Sequence, residues 1–179
     1  MILTVIVIPF LYLSSCSSVK EIIAIDYTYD LPRTTFSYPP VLYKSGEQIL
    51  YAGQYYLNLD SILHVNGFSS GVVGPTYYTS CSITITTPPD GNFSWLQSAR
   101  IEISKLSTFD TVQEIGYITD IDPSVKTIAL TMNRTNIRPY LTDKFFYFRL
   151  IGILKIKQPA TSAQMYIDGR LVMRLQPLN

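Results

Sequence analysis

Apolar and polar side chains alternate along most of this chain, and the alternation is strongest near its end. Between residues 146 and 175 the apolar positions are spaced by two, in two runs. The members are Phe146, Phe148, Leu150, Leu154 and Ile156 in the first run, and Ala163, Met165, Ile167, Leu171, Met173 and Leu175 in the second. This spacing predicts two strands with one buried face each, joined as a hairpin near Gln158, Pro159 and Ala160. Gly152 and Gly169 interrupt the runs and predict bulges or bends.

Shorter runs with the same spacing predict further strands. They occupy residues 23–30, 48–57, 81–86, 99–103, 112–118 and 128–132. Turn-forming residues separate them, and the Pro39-Pro40 pair after Tyr38 predicts an edge strand or a connector there. Residues 60–65 and 136–141 predict short helical turns, the first capped by Asp60 and ended by Gly67.

These elements predict an all-β fold: an antiparallel β-sandwich, immunoglobulin-like or related, with seven to nine strands and one or two short helical turns. Alternation identifies buried faces without identifying partner strands. Strand order, and the choice between a sandwich and a closed barrel, therefore stay open.

Residues 1–13 differ from the rest, because they are almost entirely apolar and carry no charged side chain. At about 1.5 Å per residue a helix of this length reaches only ~20 Å, whereas the hydrocarbon core of a bilayer is ~30 Å thick. The run is too short for a permanent membrane span. It matches the apolar segment of a signal peptide.

The residues that follow, Leu13, Ser14, Ser15 and Cys16, resemble the lipobox of bacterial lipoproteins: an aliphatic residue, two small residues and a cysteine. The resemblance implies cleavage between Ser15 and Cys16, a diacylglycerol on the Cys16 thiol and an acylated amine. It departs from the usual pattern in that the first basic residue, Lys20, follows the cysteine. The alternative is an N-terminal strand with an ordinary core cysteine.

The resemblance implies three regions: a signal peptide (1–15), a lipidated cysteine with a short tether (16–21) and a single β-sandwich domain (22–179). It places the chain in a bacterial cell envelope, with the outer membrane as the expected site and acyl chains as the membrane contact. Glu21 is the only acidic residue just after the cysteine. This favours a periplasm-facing position over the cell surface.

Charge and cysteine content narrow the functional classes. The net charge is +1 and charged residues make up only 15% of the chain, so no basic surface for nucleic acid is expected. With Cys16 lipidated, Cys81 has no partner for a disulfide. Cys81 is in phase with Ile83 and Ile85, which predicts an inward, unreactive thiol.

No catalytic or metal-binding set stands out. His64 is the only histidine and falls in a predicted turn. Asp120 and Asp122 resemble the start of a calcium loop, but Pro123 follows without the later ligands, so they are interpreted as turn residues. We therefore expect neither an enzyme nor a cofactor.

Tyrosine is abundant in the first half of the chain, where it predicts a binding surface for an envelope protein or a glycan. The candidate residues are Tyr38, Tyr43, Tyr55, Tyr56, Tyr77 and Tyr78. One member of each adjacent pair should point outward. Two alternatives stay open: carriage of a lipid or small apolar ligand in a pocket lined by Phe146, Phe148, Met165 and Met173, and hydrolysis of a glycan by a pair of carboxylates.

Overall fold

The computed structural model describes residues 24–39, 45–67, 73–141, 144–155 and 162–175. In these residues ten strands form two antiparallel sheets of five strands each. Sheet A contains β1 (Ile25–Asp30), β2 (Thr34–Tyr38), β4 (Val73–Thr87), β7 (Thr127–Ala129) and β10 (Ala163–Leu175). Sheet B contains β3 (Gly46–Tyr56), β5 (Leu96–Ser104), β6 (Val112–Ile118), β8 (Thr131–Met132) and β9 (Phe145–Leu154). An α-helix, α1 (Leu59–Val65), and a 3-10 helix (Arg138–Tyr140) complete the described elements.

The strand order is that of a jelly roll. Strands β1 and β2 pair end to end with β10, and only Leu130 separates β7 from β8, so the ten strands follow eight paths. Sheet A has the order β1/β2, β10, β4, β7, and sheet B has the order β3, β9, β5, β6, β8. The chain crosses repeatedly from one sheet to the other, as in a double Greek key. The predicted antiparallel sandwich is confirmed, and its strand order is the jelly-roll one.

The predicted hairpin near the end of the chain is wrong, because β9 lies in sheet B and β10 in sheet A. The described members of both predicted buried faces are nevertheless buried, and Ile156 lies outside the described residues. The buried residues are Phe146, Phe148, Leu150, Leu154, Ala163, Met165, Ile167, Leu171, Met173 and Leu175. Alternation reports which face of a strand meets the core, and two strands that pack face to face have the same pattern as two that pair.

A bulge in a long strand changes which alternate residues point into the core. The register of β4 against β10 skips Thr79, so Tyr78 and Cys81 both face the core. This irregularity lies beside the predicted bend at Gly169. Gly152 serves a different purpose: a Cβ there would lie 2.6 Å from Leu96 Cδ1, so this glycine allows close packing between strands.

The two sheets enclose one hydrophobic core. Helix α1 contributes Leu59 and Leu63 to it, and its N-cap residue is Asn58, whose side chain accepts a hydrogen bond from the Ser61 amide. The predicted cap at Asp60 is therefore wrong; Asp60 lies in the first helical turn. No helix in the described ranges is long and apolar enough to cross a membrane.

Candidate functional site

The predicted tyrosines do not form one surface. Tyr38, Tyr55 and Tyr78 are buried, with exposed fractions of 4%, 8% and 6%, so a partner cannot reach them. This corrects their assignment to a binding surface. Tyr43, like Ser15 and Cys16, lies outside the described residues.

Each buried tyrosine has a packing role instead. Tyr38 stacks on Trp95 with ring centroids 5.2 Å apart, and the Tyr55 hydroxyl donates a hydrogen bond to the Pro32 carbonyl. Burial raises the pKa of the Tyr55 and Tyr78 hydroxyls. These side chains are therefore neutral core components.

The outward members of the two adjacent pairs are Tyr56 and Tyr77, as the alternation predicts. Tyr56 is 74% exposed at the end of β3 in sheet B. Tyr77 is half-buried in β4 of sheet A, opposite Val172 of β10. Because they belong to different sheets and point away from the shared core, they cannot contact one ligand together.

Core side chains fill the space between the sheets where a pocket for a lipid or small apolar ligand was predicted as an alternative. Phe146, Phe148, Met165 and Met173 are at most 4% exposed and belong to the continuous core. A void beside Phe148 measures about 10 Å³. That is about the smallest volume that holds a single water molecule, so an acyl chain does not fit there.

The outer face of sheet B carries a network of four charged side chains. Glu102 in β5 accepts hydrogen bonds from Arg100 Nε at 2.8 Å and from Arg149 Nε at 2.7 Å, although it is only 6% exposed. The terminal nitrogens of Arg100 donate two further bonds, both 2.8 Å, to the carboxylate of Glu47. This bidentate contact lowers the pKa of Glu47 and raises that of Arg100.

Strand order explains how the network is assembled. Glu102 lies directly opposite Arg149, and Arg100 lies directly opposite Ile151 of β9. Glu47 belongs to β3, on the far side of β9, so the Arg100 side chain must reach across β9 to meet it. This accounts for the burial of Ile151, which is only 3% exposed although it lies outside the core cluster.

A cleft of about 280 Å³ adjoins this network on sheet B. Its lining residues are Ser98, Ala99, Arg100, Glu114, Tyr117, Ile118, Thr119, Ile151 and Ile153. All but Thr119 belong to β5, β6 or β9, so paired strands hold the lining in place. Tyr117 is 40% exposed and supplies an accessible aromatic ring. The cleft combines apolar surface with a few polar groups, as small-ligand sites do.

Sequence reasoning missed this cleft. None of Arg100, Glu102 and Glu114 was among the residues singled out from the sequence. The signal that brings them together is the cross-strand register, in which Glu102 lies opposite Glu114. A single sequence does not contain that register.

The register also bears on glycan hydrolysis, because it places two carboxylates on neighbouring strands. Both oxygens of Glu102 already accept bonds from guanidinium groups, and Glu114 Oε1 accepts a bond from Asn133 Nδ2 at 3.1 Å. A general acid must carry a proton next to the leaving group. Glu102 is arranged to hold two arginines rather than to donate a proton.

The other candidate residues have structural surroundings. His64 is exposed on α1, and Asp122 accepts bonds from the amide and hydroxyl of Ser124, which lowers its pKa. Burial raises the pKa of Cys81 to about 12. No group of three or more His, Cys, Asp or Glu side chains within the described part of the chain is placed to hold a metal ion.

A second pocket, of about 380 Å³, lies at the other end of β5. Ser104, Lys105, Leu106, Thr111, Pro139 and Tyr140 line it. These residues come mostly from two connecting segments, and the chain continues from Leu141 into residues 142 and 143, outside the described ranges. The cleft beside Tyr117 is the better-defined site, because strands on both sides hold its lining.

Comparison with known proteins yields structural matches only. No protein-family model and no curated protein matches the chain. A structure of Desmodium yellow mottle tymovirus matches with 14% identity and a TM-score of 0.30, over 87% of this chain and 83% of that chain. A structure of infectious bursal disease virus, Gx strain, gives 10% identity and a TM-score of 0.37, over 87% of this chain and 33% of that chain.

Turnip yellow mosaic virus at 100 K gives 9% identity and a TM-score of 0.28, over 87% of this chain and 97% of that chain. Matches at these scores carry no argument about function. The jelly-roll assignment above depends on strand order alone.

Proposed function

We propose that this protein is a non-catalytic binding domain of a bacterial envelope lipoprotein, and that its partner, an envelope protein or a glycan, occupies the cleft beside Tyr117. The observation that carries the proposal is the cleft itself: an exposed aromatic ring, apolar floor residues and fixed polar groups on one face of a rigid sheet. Acyl chains on Cys16, which the lipobox resemblance implies, would tether the domain to the membrane. Anchoring would keep the domain at a high local concentration near partners in the same envelope.

Binding is favoured over catalysis because Glu114 is the only carboxylate among the cleft-lining residues, and the neighbouring carboxylates are held by arginines. Glu47 and Glu102 accept bonds from Arg100 and Arg149, which holds the sheet surface in one shape. A preorganised surface binds well because less conformational entropy is lost when the partner arrives.

Site-specific photo-cross-linking in intact envelopes tests the site. The photoreactive amino acid p-benzoylphenylalanine would replace Tyr117 in one full-length chain, and Tyr56 or Tyr77 in two control chains. Tyr56 pairs with Phe145 of β9, and Phe145 lies six residues before Ile151, or about 20 Å along the strand. Position 56 therefore reports on a distant part of the same sheet.

We expect a cross-linked partner from position 117 and none from positions 56 and 77. A product from position 56 or 77 alone would move the site away from the cleft. The absence of a product at all three positions would contradict the binding function.

The anchor has its own test. Cells that produce the chain would be labelled with an alkyne fatty acid, and the label should enter the native chain and be lost in Cys16→Ala. Incorporation into Cys16→Ala would contradict lipidation at Cys16.

A further inference from the structure

We infer that the ligand of the cleft is a neutral saccharide. This inference rests on the proposed function and names the chemical class of the partner. Three properties of the lining lead to it: an aromatic ring beside aliphatic side chains, the balance of charge, and the hydrogen-bonding groups at the rim.

The first property is apolar surface of two kinds. Tyr117 is 40% exposed, and the partly buried Ile153 lies in the same cleft, whereas Ile151 lies on its floor beneath the Arg100 side chain. A pyranose ring has C–H groups on its faces, and these pack against an aromatic ring while the ring hydroxyls point sideways. A cleft of about 280 Å³ is close to the lower limit for small-ligand sites, which suits one or two sugar rings rather than a folded protein segment.

The second property is charge. The guanidinium of Arg100 contacts Glu47 and Glu102, and that of Arg149 contacts Glu102, so the two positive and two negative charges of this network cancel. Glu114 is the lining residue whose charge is left unbalanced. An anionic ligand would meet a net negative site, and acidic sugars or phosphates are disfavoured.

The third property is the supply of acceptors and hydroxyls. Glu114 Oε1 accepts a bond from Asn133, whereas Oε2 has no hydrogen-bond partner among the described residues. A carboxylate oxygen accepts hydrogen bonds only, and saccharide hydroxyls are donors as well as acceptors. The hydroxyls of Ser98 and Thr119 also line the cleft and can bond to the remaining sugar oxygens.

A cationic peptide is the main rival, because a lysine side chain would also complement Glu114. It is disfavoured because the cleft offers a single carboxylate, that of Glu114, with neutral hydroxyls and apolar surface rather than the several carboxylates that a cationic peptide would need. The experiment therefore includes peptide and acidic-sugar arms.

Calorimetric titration of the full-length chain, solubilised in detergent, provides the test. The probes are a panel of neutral hexasaccharides of glucose, xylose and mannose, a hexasaccharide of galacturonic acid, and trilysine. The variants are Tyr117→Ala, Tyr117→Phe and Glu114→Gln, with Tyr56→Ala as the control. Emission of Trp95, which is 2% exposed, verifies that each variant is folded.

We expect at least one neutral hexasaccharide to bind, and the acidic one to bind at least tenfold more weakly. Tyr117→Ala and Glu114→Gln should each weaken binding roughly tenfold, because the first removes the ring contact and the second removes a charged acceptor. Tyr117→Phe should stay within about threefold of the native chain, since the ring is retained. Tyr56→Ala should have no effect.

Three results would overturn the inference: tighter binding of the acidic hexasaccharide, binding of trilysine alone, or neutral-sugar binding that Tyr117→Ala leaves unchanged. A protein cross-linked at position 117, with no sugar bound, would overturn the saccharide and leave the proposed function intact. If neither the cross-linking nor the calorimetry detected a partner, both the proposed binding function and the saccharide inference would be contradicted.

Discussion

The substitution Glu102→Gln removes the charge at the centre of the sheet B network and keeps the size of the side chain. One of its two oxygens becomes an NH₂ group, which cannot accept the bond that Arg100 Nε or Arg149 Nε now donates. In the variant, the new NH₂ group therefore faces an arginine Nε–H, so two donors meet at a position that is only 6% exposed.

The cost follows from burial and from the solvation of the arginines. Losing a charge-assisted hydrogen bond costs about 1.5–3 kcal/mol, and removing one member of a fully buried ion pair costs about 3–5 kcal/mol. The side chains of Arg100 and Arg149 are 28% and 22% exposed, so water compensates them in part. We expect the free energy of unfolding to fall by about 2–4 kcal/mol.

Urea unfolding followed by the fluorescence of Trp95 measures this loss, because Trp95 is the only tryptophan and is buried in the core. Glu47→Gln is the matched control: it breaks a bond to the same Arg100, but the Glu47 side chain is 57% exposed. Exposed pairs contribute at most about 1 kcal/mol. If Glu102→Gln cost no more than Glu47→Gln, the network would not be a buried structural element.

Three further predictions follow from the core and from the pKa shifts. Burial raises the pKa of Cys81 to about 12, so its contribution to stability is fully present below the unfolded pKa of ~8.5 and is lost as pH rises from there to about 12. In a Cys16→Ser chain, a thiol reagent at pH 8 should label Cys81 only after urea is added. Rapid labelling of the native chain would contradict the buried position. Gly152→Ala should lower the free energy of unfolding by about 1–3 kcal/mol, because the new methyl group would lie 2.6 Å from Leu96 Cδ1 and 2.8 Å from Leu50 Cδ1; unchanged urea unfolding would mean that the strands are less tightly packed than described. Arg100 lowers the pKa of Glu47, so the contribution of this carboxylate to stability is present above its unfolded pKa of ~4.3 and is lost as pH falls below it. The free energy of unfolding, measured between pH 6 and pH 3, should therefore fall less steeply in Glu47→Gln than in the native chain. An equal dependence on pH in the two chains would refute this.

Much of the fold was predictable from the sequence because alternation is a local property. The inward residues of β9 and β10 follow directly from the spacing of apolar positions, and Cys81 was placed inward for the same reason. Partner strands are a nonlocal property, and the predicted hairpin failed on that point. In a jelly roll, strands adjacent in sequence often lie in opposite sheets, and the local pattern is the same in either case.

The candidate site was harder to predict. Bulges at Thr79 and Leu50 reverse the phase of β4 and β3, which brings Tyr78 and Tyr55 into the core. A count of tyrosines could not reveal these reversals. Tyr117 was not among the predicted binding residues, because the ring gains its role only from the residues of β5 and β9 that the register places beside it.

Methyl-group NMR of isoleucine gives the most direct test of the claim that the cleft holds the partner. Ile151 and Ile153 line the cleft, whereas Ile25 is exposed on sheet A and Ile128 is buried in β7 of that sheet. On addition of the bound saccharide or protein, we predict that the methyl signals of Ile151 and Ile153 shift and that those of Ile25 and Ile128 do not. Shifts at Ile25 or Ile128, with Ile151 and Ile153 unchanged, would contradict the account.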